Sequence, residues 1–345
     1  MAALHHTQPS FNNQQLGHTS HKHGMVVEEI HGLIRVYTDG RVERPPIIPC
    51  TLPSNTDDIA SRDFVLGRFT NLWVRIYAPR RPGNSQLPLL IYFHGGGFCV
   101  GSAAWTCYHE FLTTLASKAN CVLVSVSYRL APENRLPAAY DDGLSVLTWV
   151  KRVWSEGCSE QRWWLSQCKL STVFIVGDSA GANIAYNVAI RLGSCGSLRP
   201  LNMKGLILIQ PFFGAEERTP SERLASATAT RTSSSALTLA ASDAYWRLSL
   251  PRGTNRDHPW CNPLSAGASA LLGLQVPSVM VCVSELDILK DRTLGFCVAL
   301  AETGRAVETV ISKGVGHAFQ ILHSSALSRT RTQELMSHIK LFIHK

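Results

Sequence analysis

The segment Phe174-Ile175-Val176-Gly177-Asp178-Ser179-Ala180-Gly181-Ala182-Asn183-Ile184-Ala185 leaves a chain few ways to fold. Its first half is a short apolar, β-branched run, the pattern of a buried strand. Its second half places small and apolar residues at helical spacing. The chain must therefore turn from strand to helix around Ser179, and Gly177 and Gly181 remove side chains that would clash at so sharp a bend. Such a bend lifts the serine hydroxyl clear of the end of a sheet. It also aims the N–H of Ala180 at the oxygen of any carbonyl the serine attacks. A Gly-flanked turn also occurs without chemistry, so the rest of the chain has to decide.

The surrounding pattern alternates. Near-continuous apolar runs at 87–93, 122–126, 204–210 and 276–283 read as strands covered on both faces. Helical patterns fall at 107–118, 137–154, 291–303 and from about 326, with a further strand at 306–311. Strands alternating with helices predict an α/β fold, a mostly parallel central sheet with helices on both faces. Residues 64–79 read as antiparallel strands turning near Asn71. Asp39-Gly40 between β-branched runs predicts a small hairpin, preceded by mixed helical spacing at Val26, Val27, Ile30, Leu33 and Ile34. Residues 212–265 break the alternation and are too long for a plain loop. They carry a helical pattern at 238–248 and are placed to cover the C-terminal edge of the sheet as a cap, with residues 25–45 as a second cap piece.

The 345 residues are sufficient for one large domain, here spanning 25–345. Residues 1–24 are rich in His, Gln, Asn and Ser and lack an apolar core, so they read as a disordered tail rather than a secretory signal. Its histidines at 5, 6, 18, 21 and 23 fit that tail better than a metal site. The net charge of +8 is scattered without a basic stripe, which speaks against nucleic-acid binding. No run is long enough to cross a bilayer. Ten cysteines without a Cys-x-x-Cys pair fit reduced thiols in a cytosolic protein rather than a disulfide or zinc framework.

A serine hydroxyl is a weak nucleophile. It needs a base, and the base needs a carboxylate to fix its tautomer. Asp287 follows the strand at 279–283, and His317 follows the strand at 306–311 among small residues. Asp291 and Glu285 compete for the acid's role, but Asp287 lies nearer the strand end than Asp291, which falls inside the helix. His109 and His258 compete as bases, but neither follows a sheet strand at the expected place. The run His94-Gly95-Gly96-Gly97, ending a buried strand about 80 residues before Ser179, suits a developing oxyanion, because glycine amides approach an oxygen with no side chain between. The donors are the amides of Gly96, Gly97 and Ala180. Gly95 supports the loop and His94 orients it. Phe98 and Trp105 beside that loop, and Tyr245 and Trp246 in the insertion, are candidate substrate-binding residues. Phe212, Phe213 and Trp260 read chiefly as packing.

Together His94-Gly-Gly-Gly-Phe98, Tyr128-Arg-Leu-Ala-Pro-Glu133, Gly177-Asp-Ser-Ala-Gly181, Asp287-x-x-x-Asp291 and Gly316-His317 resemble the hormone-sensitive-lipase group of α/β-hydrolases. Within that group the chain is similar to plant class I carboxylesterases, relatives of the gibberellin receptor. The resemblance spans about residues 26–345. It implies an α/β-hydrolase fold with a helical cap and a serine carboxylesterase acting on small-molecule esters through an acyl-enzyme. It also implies no cofactor or metal, a cytosolic or nuclear setting, and a monomer or weak homo-oligomer. Two departures, Ser127 and Asn134, flank the Tyr128–Glu133 motif and predict altered loop hydrogen bonds. The gibberellin receptor lacks the triad histidine, so His317 argues against a pure receptor. The same scaffold implies two alternatives: a protein that binds or inactivates a small hormone of the gibberellin or strigolactone kind, and a dehydratase or other lyase.

Overall fold

The computed structural model describes residues 24–345 apart from 68, 82, 84, 193–197, 229–235, 266–268 and 323–324. The tail expected over residues 1–24, but for Gly24, lies outside the described residues.

The chain begins with three short strands, β1 (Val26–Ile30), β2 (Ile34–Tyr37) and β3 (Val42–Glu43), paired antiparallel in a sheet of their own. The Asp39-Gly40 hairpin is as expected, with Gly40 at φ 84°. The helical spacing read before it is corrected: residues 26–34 form two strands around a turn in which Gly32 takes φ 73°. A left-handed glycine there lets the chain reverse where a helix would have continued.

The body contains β4 (Ile59–Gly67), β5 (Leu72–Pro79), β6 (Leu87–Phe93), α1 (Thr106–Ala119), β7 (Val122–Ser127), α2 (Ala138–Glu156), α3 (Ser159–Leu165), β8 (Cys168–Asp178), α4 (Ala180–Leu192) and β9 (Met203–Ile209). Then come α5 (Pro220–Thr228) and α6 (Leu239–Ser249) in the insertion. The chain closes with α7 (Ser269–Leu272), β10 (Ser278–Ser284), α8 (Lys290–Glu302), β11 (Ala306–Ser312), α9 (Phe319–Leu322) and α10 (Ala326–Ile343). The main sheet has eight strands in the order β11-β10-β9-β8-β6-β7-β5-β4. Pairs from β11 through β7 are parallel, and the β7–β5 and β5–β4 pairs are antiparallel. Among the described residues, no helix is long and apolar enough to cross a membrane.

Strand β6 shows why the apolar runs were continuous. All seven of its residues are buried. Leu89, Ile91 and Phe93 enter the core on the α2 and α4 side, while Leu90 and Tyr92 enter the core on the α1 and α10 side. A strand covered on both faces has no position left for a solvated side chain. Burial of this kind contributes roughly 1.5–3 kcal/mol per large apolar side chain. It makes the sheet a rigid base, and all five strands from β11 to β6 end at the same edge. Their C-terminal ends carry the Gly95–Gly97 loop, Ser179, Gln210, Asp287 and His317.

Candidate active site

The bend after β8 is as tight as its glycines require. A Cβ on Gly177 would lie 2.2 Å from the Gly181 carbonyl oxygen, and one on Gly181 would lie 2.0 Å from that of Phe93. Ser179 itself sits at φ 52°, a left-handed conformation uncommon for serine. Main-chain bonds hold it there: its N–H donates to Ile209 O at 2.8 Å, and its carbonyl accepts from Phe212 N at 3.0 Å.

Three side chains from separate strand ends meet at this point. His317 Nε2 is 2.8 Å from Ser179 Oγ, and His317 Nδ1 is 2.7 Å from Asp287 Oδ2. All three residues are buried. Burial pulls the imidazole pKa down, but the charge and hydrogen bond of Asp287, with a smaller push from Asp178, more than offset it. The net shift is upward. The other oxygen of Asp287 accepts from Leu289 N at 3.0 Å, which fixes the carboxylate's orientation.

The rival residues have other occupations. Asp291 accepts from Ser221 N at 2.7 Å and so ties α8 to α5. Glu285 accepts from Gly314 N. His109 sits among Ser54, Arg75 and Tyr77, and His258 accepts from Trp260 N.

The glycine loop after β6 faces the serine. Gly96 and Gly97 have φ 110° and 58°, and among the described residues their N–H groups and that of Ala180 have no protein partner. The Gly95 N–H donates to Tyr108 Oη at 2.7 Å, so Gly95 supports the loop rather than offering a donor. His94 stacks on Tyr128, and its Nδ1 lies 2.8 Å from Gly95 O. Burial lowers its pKa to about 4, so the ring is neutral. Arg129 of the Tyr128–Glu133 motif pairs with Asp142, and Glu133 pairs with Arg44. Asn134 N–H and Nδ2 both donate to Leu130 O, which closes that loop locally.

A connection unforeseen in the sequence runs beneath this loop. Tyr108 Oη donates to Asp178 Oδ2 at 2.9 Å while accepting from Gly95, and Tyr92 Oη donates to Asp178 Oδ1 at 2.8 Å. Full burial raises the Asp178 pKa to about 6, with the two tyrosine hydroxyls and His317 pulling the other way. Asp178 thus joins the serine's bend to the glycine loop. The position of Asp178 inside the glycine motif hinted at this, but no spacing points to Tyr108 on α1.

A cavity of about 180 Å³ opens onto Ser179, His317, Gly96 and Gly97. Its walls are Leu33 and Ile47 from the N-terminal segment, Val100 and Trp105, Phe212, Leu237 and Tyr245 from the insertion, and Ile321. No Lys or Arg lines it among the described residues. Trp105 and Tyr245 therefore stand where pocket residues were expected. Phe98 and Trp246 do not: both are almost fully buried, packed on each other and on Phe212 behind the wall. An aromatic pattern alone does not say which ring faces in, because that depends on how the insertion docks.

A family model described as alpha/beta hydrolase fold matches residues 90–321. The chain belongs to the alpha/beta-hydrolase family. It is 46% identical over 330 residues to probable carboxylesterase 6 of Arabidopsis thaliana, with 94% of each chain covered. It is 36% identical to the gibberellin receptor GID1B of the same plant, over 85% of this chain and 81% of that one. An esterase of Pyrobaculum calidifontis superimposes with a TM-score of 0.67 at 27% identity, covering 82% of this chain and 85% of the other. These relatives place the chain in the hormone-sensitive-lipase-like group, as its motifs indicated.

Proposed function

We propose that this alpha/beta hydrolase is a serine carboxylesterase that cleaves small, uncharged esters through an acyl-enzyme. The observation that carries the reading is the relay from Ser179 Oγ through His317 to Asp287, beside three amides that have no partner among the described residues. Ser179 Oγ attacks the ester carbonyl carbon while His317 Nε2 takes its proton. The carbonyl oxygen becomes an oxyanion held by the N–H groups of Gly96, Gly97 and Ala180, each such donor being worth on the order of 3 kcal/mol. His317 then gives the proton to the leaving alcohol as the C–O bond breaks. Water enters, His317 takes a proton from it, and the hydroxide attacks the acyl carbon. The proton returns to Ser179 Oγ as the acid departs. Asp287 keeps the Nδ1 proton of His317 pointed away from the serine throughout.

The cavity bounds the substrate. Its volume is below the roughly 300–1,000 Å³ of sites for drug-sized ligands, and its walls are apolar, which favours a compact apolar acyl group. Elements β1–β3, α5 and α6 act as the cap over it. Arg247 on α6 pairs with Glu28 on β1, joining the two cap pieces. The nine cysteines among the described residues are all free, which supports a reducing, cytosolic compartment. The test is hydrolysis of p-nitrophenyl esters of graded acyl length by the wild type and Ser179→Ala. The reading requires turnover to peak at short acyl chains and to vanish in the variant. Wild-type rates in Ser179→Ala refute it.

A further inference from the structure

We infer that Gln210 is a positioning residue for the triad, and that its side-chain amide sets His317 against Ser179 and Asp287. The inference rests on the esterase reading above.

Gln210 directly follows β9 in a left-handed conformation, φ 49°, and is almost fully buried. Ile209, just before it, and Phe212, two residues after it, are main-chain partners of Ser179. Its own N–H donates to Cys282 O of β10 at 2.8 Å. The side chain then reaches the other two catalytic loops at once. Nε2 donates to the hydroxyl of Ser284, the last residue of β10, whose carbonyl accepts the N–H of Asp287. Oε1 accepts from Ala318 N at 2.7 Å, and Ala318, at φ 57°, is the residue after His317. One amide therefore ties the acid loop and the histidine loop to the strand beside the serine. Neither end reaches a reacting atom.

The choice of residue carries the argument. A left-handed buried position is met most cheaply by Gly, Asn or Asp. A glutamine there is strained, and its amide supplies the donor for Ser284 and the acceptor for Ala318 in one planar group. An apolar chain of the same length leaves the half-buried Ala318 N–H without this partner, so the turn that aims the imidazole relaxes. A displacement of about 1 Å at a reacting group costs on the order of 100-fold in rate.

The test compares Gln210→Met and Gln210→Glu with the wild type on a short p-nitrophenyl ester, with kcat, KM, pH profile and thermal midpoint measured together. Gln210→Met should lower kcat about 10- to 100-fold with KM within about twofold. The downfield proton resonance of the His317–Asp287 bond should weaken or move. Gln210→Glu keeps an acceptor for Ala318 and accepts from the Ser284 hydroxyl. It should recover kcat at high pH, with the acid limb moved upward because the new carboxylate favours a charged imidazole. Wild-type kcat, resonance and pH profile in Gln210→Met overturn the inference. So does a loss of activity that merely tracks the fraction unfolded in both variants. Ser179→Ala separates this from the parent reading: if it is inactive while Gln210→Met behaves as wild type, only the role of Gln210 falls.

Discussion

Tyr108→Phe isolates the link beneath the glycine loop. The ring stays, with its packing against His94, Tyr92 and Trp105, and only a hydroxyl goes. That hydroxyl holds two partners, Gly95 N–H at 2.7 Å and Asp178 Oδ2 at 2.9 Å. A buried N–H left unpaired costs about 1–3 kcal/mol, and a hydrogen bond to a charged group contributes about 1.5–3 kcal/mol. At pH 8 the ionised Asp178 loses one of its two tyrosine donors, so the combined loss is about 3–5 kcal/mol, the two parts belonging to one network and not strictly additive. At pH 5 the loss is smaller. The Asp178 pKa is raised to about 6 from an ordinary 3.8, so the folded state holds a proton that the unfolded state has shed. Stability from this group therefore declines as pH rises from about 4 to 6, and at pH 5 the carboxyl is largely neutral and needs the tyrosine less. Removing the hydroxyl pushes that pKa further up and enlarges the penalty on the alkaline side. The assay is reversible urea unfolding of wild type and Tyr108→Phe at pH 5 and pH 8. The expected result is a destabilisation at both pH values that is larger at pH 8. A variant within about 0.5 kcal/mol of wild type at both, or one losing more at pH 5, refutes the reasoning.

Two further outcomes follow from the site. His317 must be neutral to accept the serine proton, and its pKa is raised, so kcat/KM should fall on acidification through a limb lying above the usual histidine value of 6.5. A limb below that value contradicts the coupling to Asp287. The same shift stabilises the charged His317–Asp287 pair, a contribution full below the unfolded histidine pKa and lost as pH rises through the folded one. Gly97→Ala places a Cβ 2.2 Å from the Tyr245 ring at a residue with φ 58°. It should cut kcat by about 100-fold or more by displacing a donor, while esterase kinetics close to wild type refute the role of this loop.

The three residues of the relay were legible because each follows a strand end at one edge of the sheet: β8 and β10 end in buried apolar runs, while β11, the edge strand before His317, is largely exposed. Ser179 was marked by the Gly-x-Ser-x-Gly turn, and Asp287 and His317 by their places after late strands in the chain order. The cap was harder. Residues 26–36 are β-branched at spacings that suit helix or strand over so short a length, and only one face of β1 and β2 is covered. The helices α3 and α9, seven and four residues long, are too short for a period to declare itself. Phe98 and Trp246 were misplaced because the sequence says that an aromatic is buried but not against what. Tyr92, Tyr108 and Gln210 are polar groups whose partners come from distant segments, so no local pattern marks their role.

The backbone outliers point to the same organisation. Six non-glycine residues among those described have left-handed φ. Two are Asn71 and Asn120, at a hairpin turn and a helix end, where asparagine tolerates that conformation. The other four, Phe98, Ser179, Gln210 and Ala318, all lie in the loops at the C-terminal edge of the sheet. Each costs roughly 1–2 kcal/mol locally and persists only where its surroundings over-determine it. The restraining bonds interlock: Ile209 holds Ser179, Cys282 holds Gln210, Gln210 holds Ala318, and the Phe98 carbonyl takes the N–H of Ala131. The strain of the serine's bend is therefore shared with the loops of its partners. For that reason, substitutions at Ser179's neighbours should couple with those at Gln210 rather than add, which independent sites of similar cost would not do.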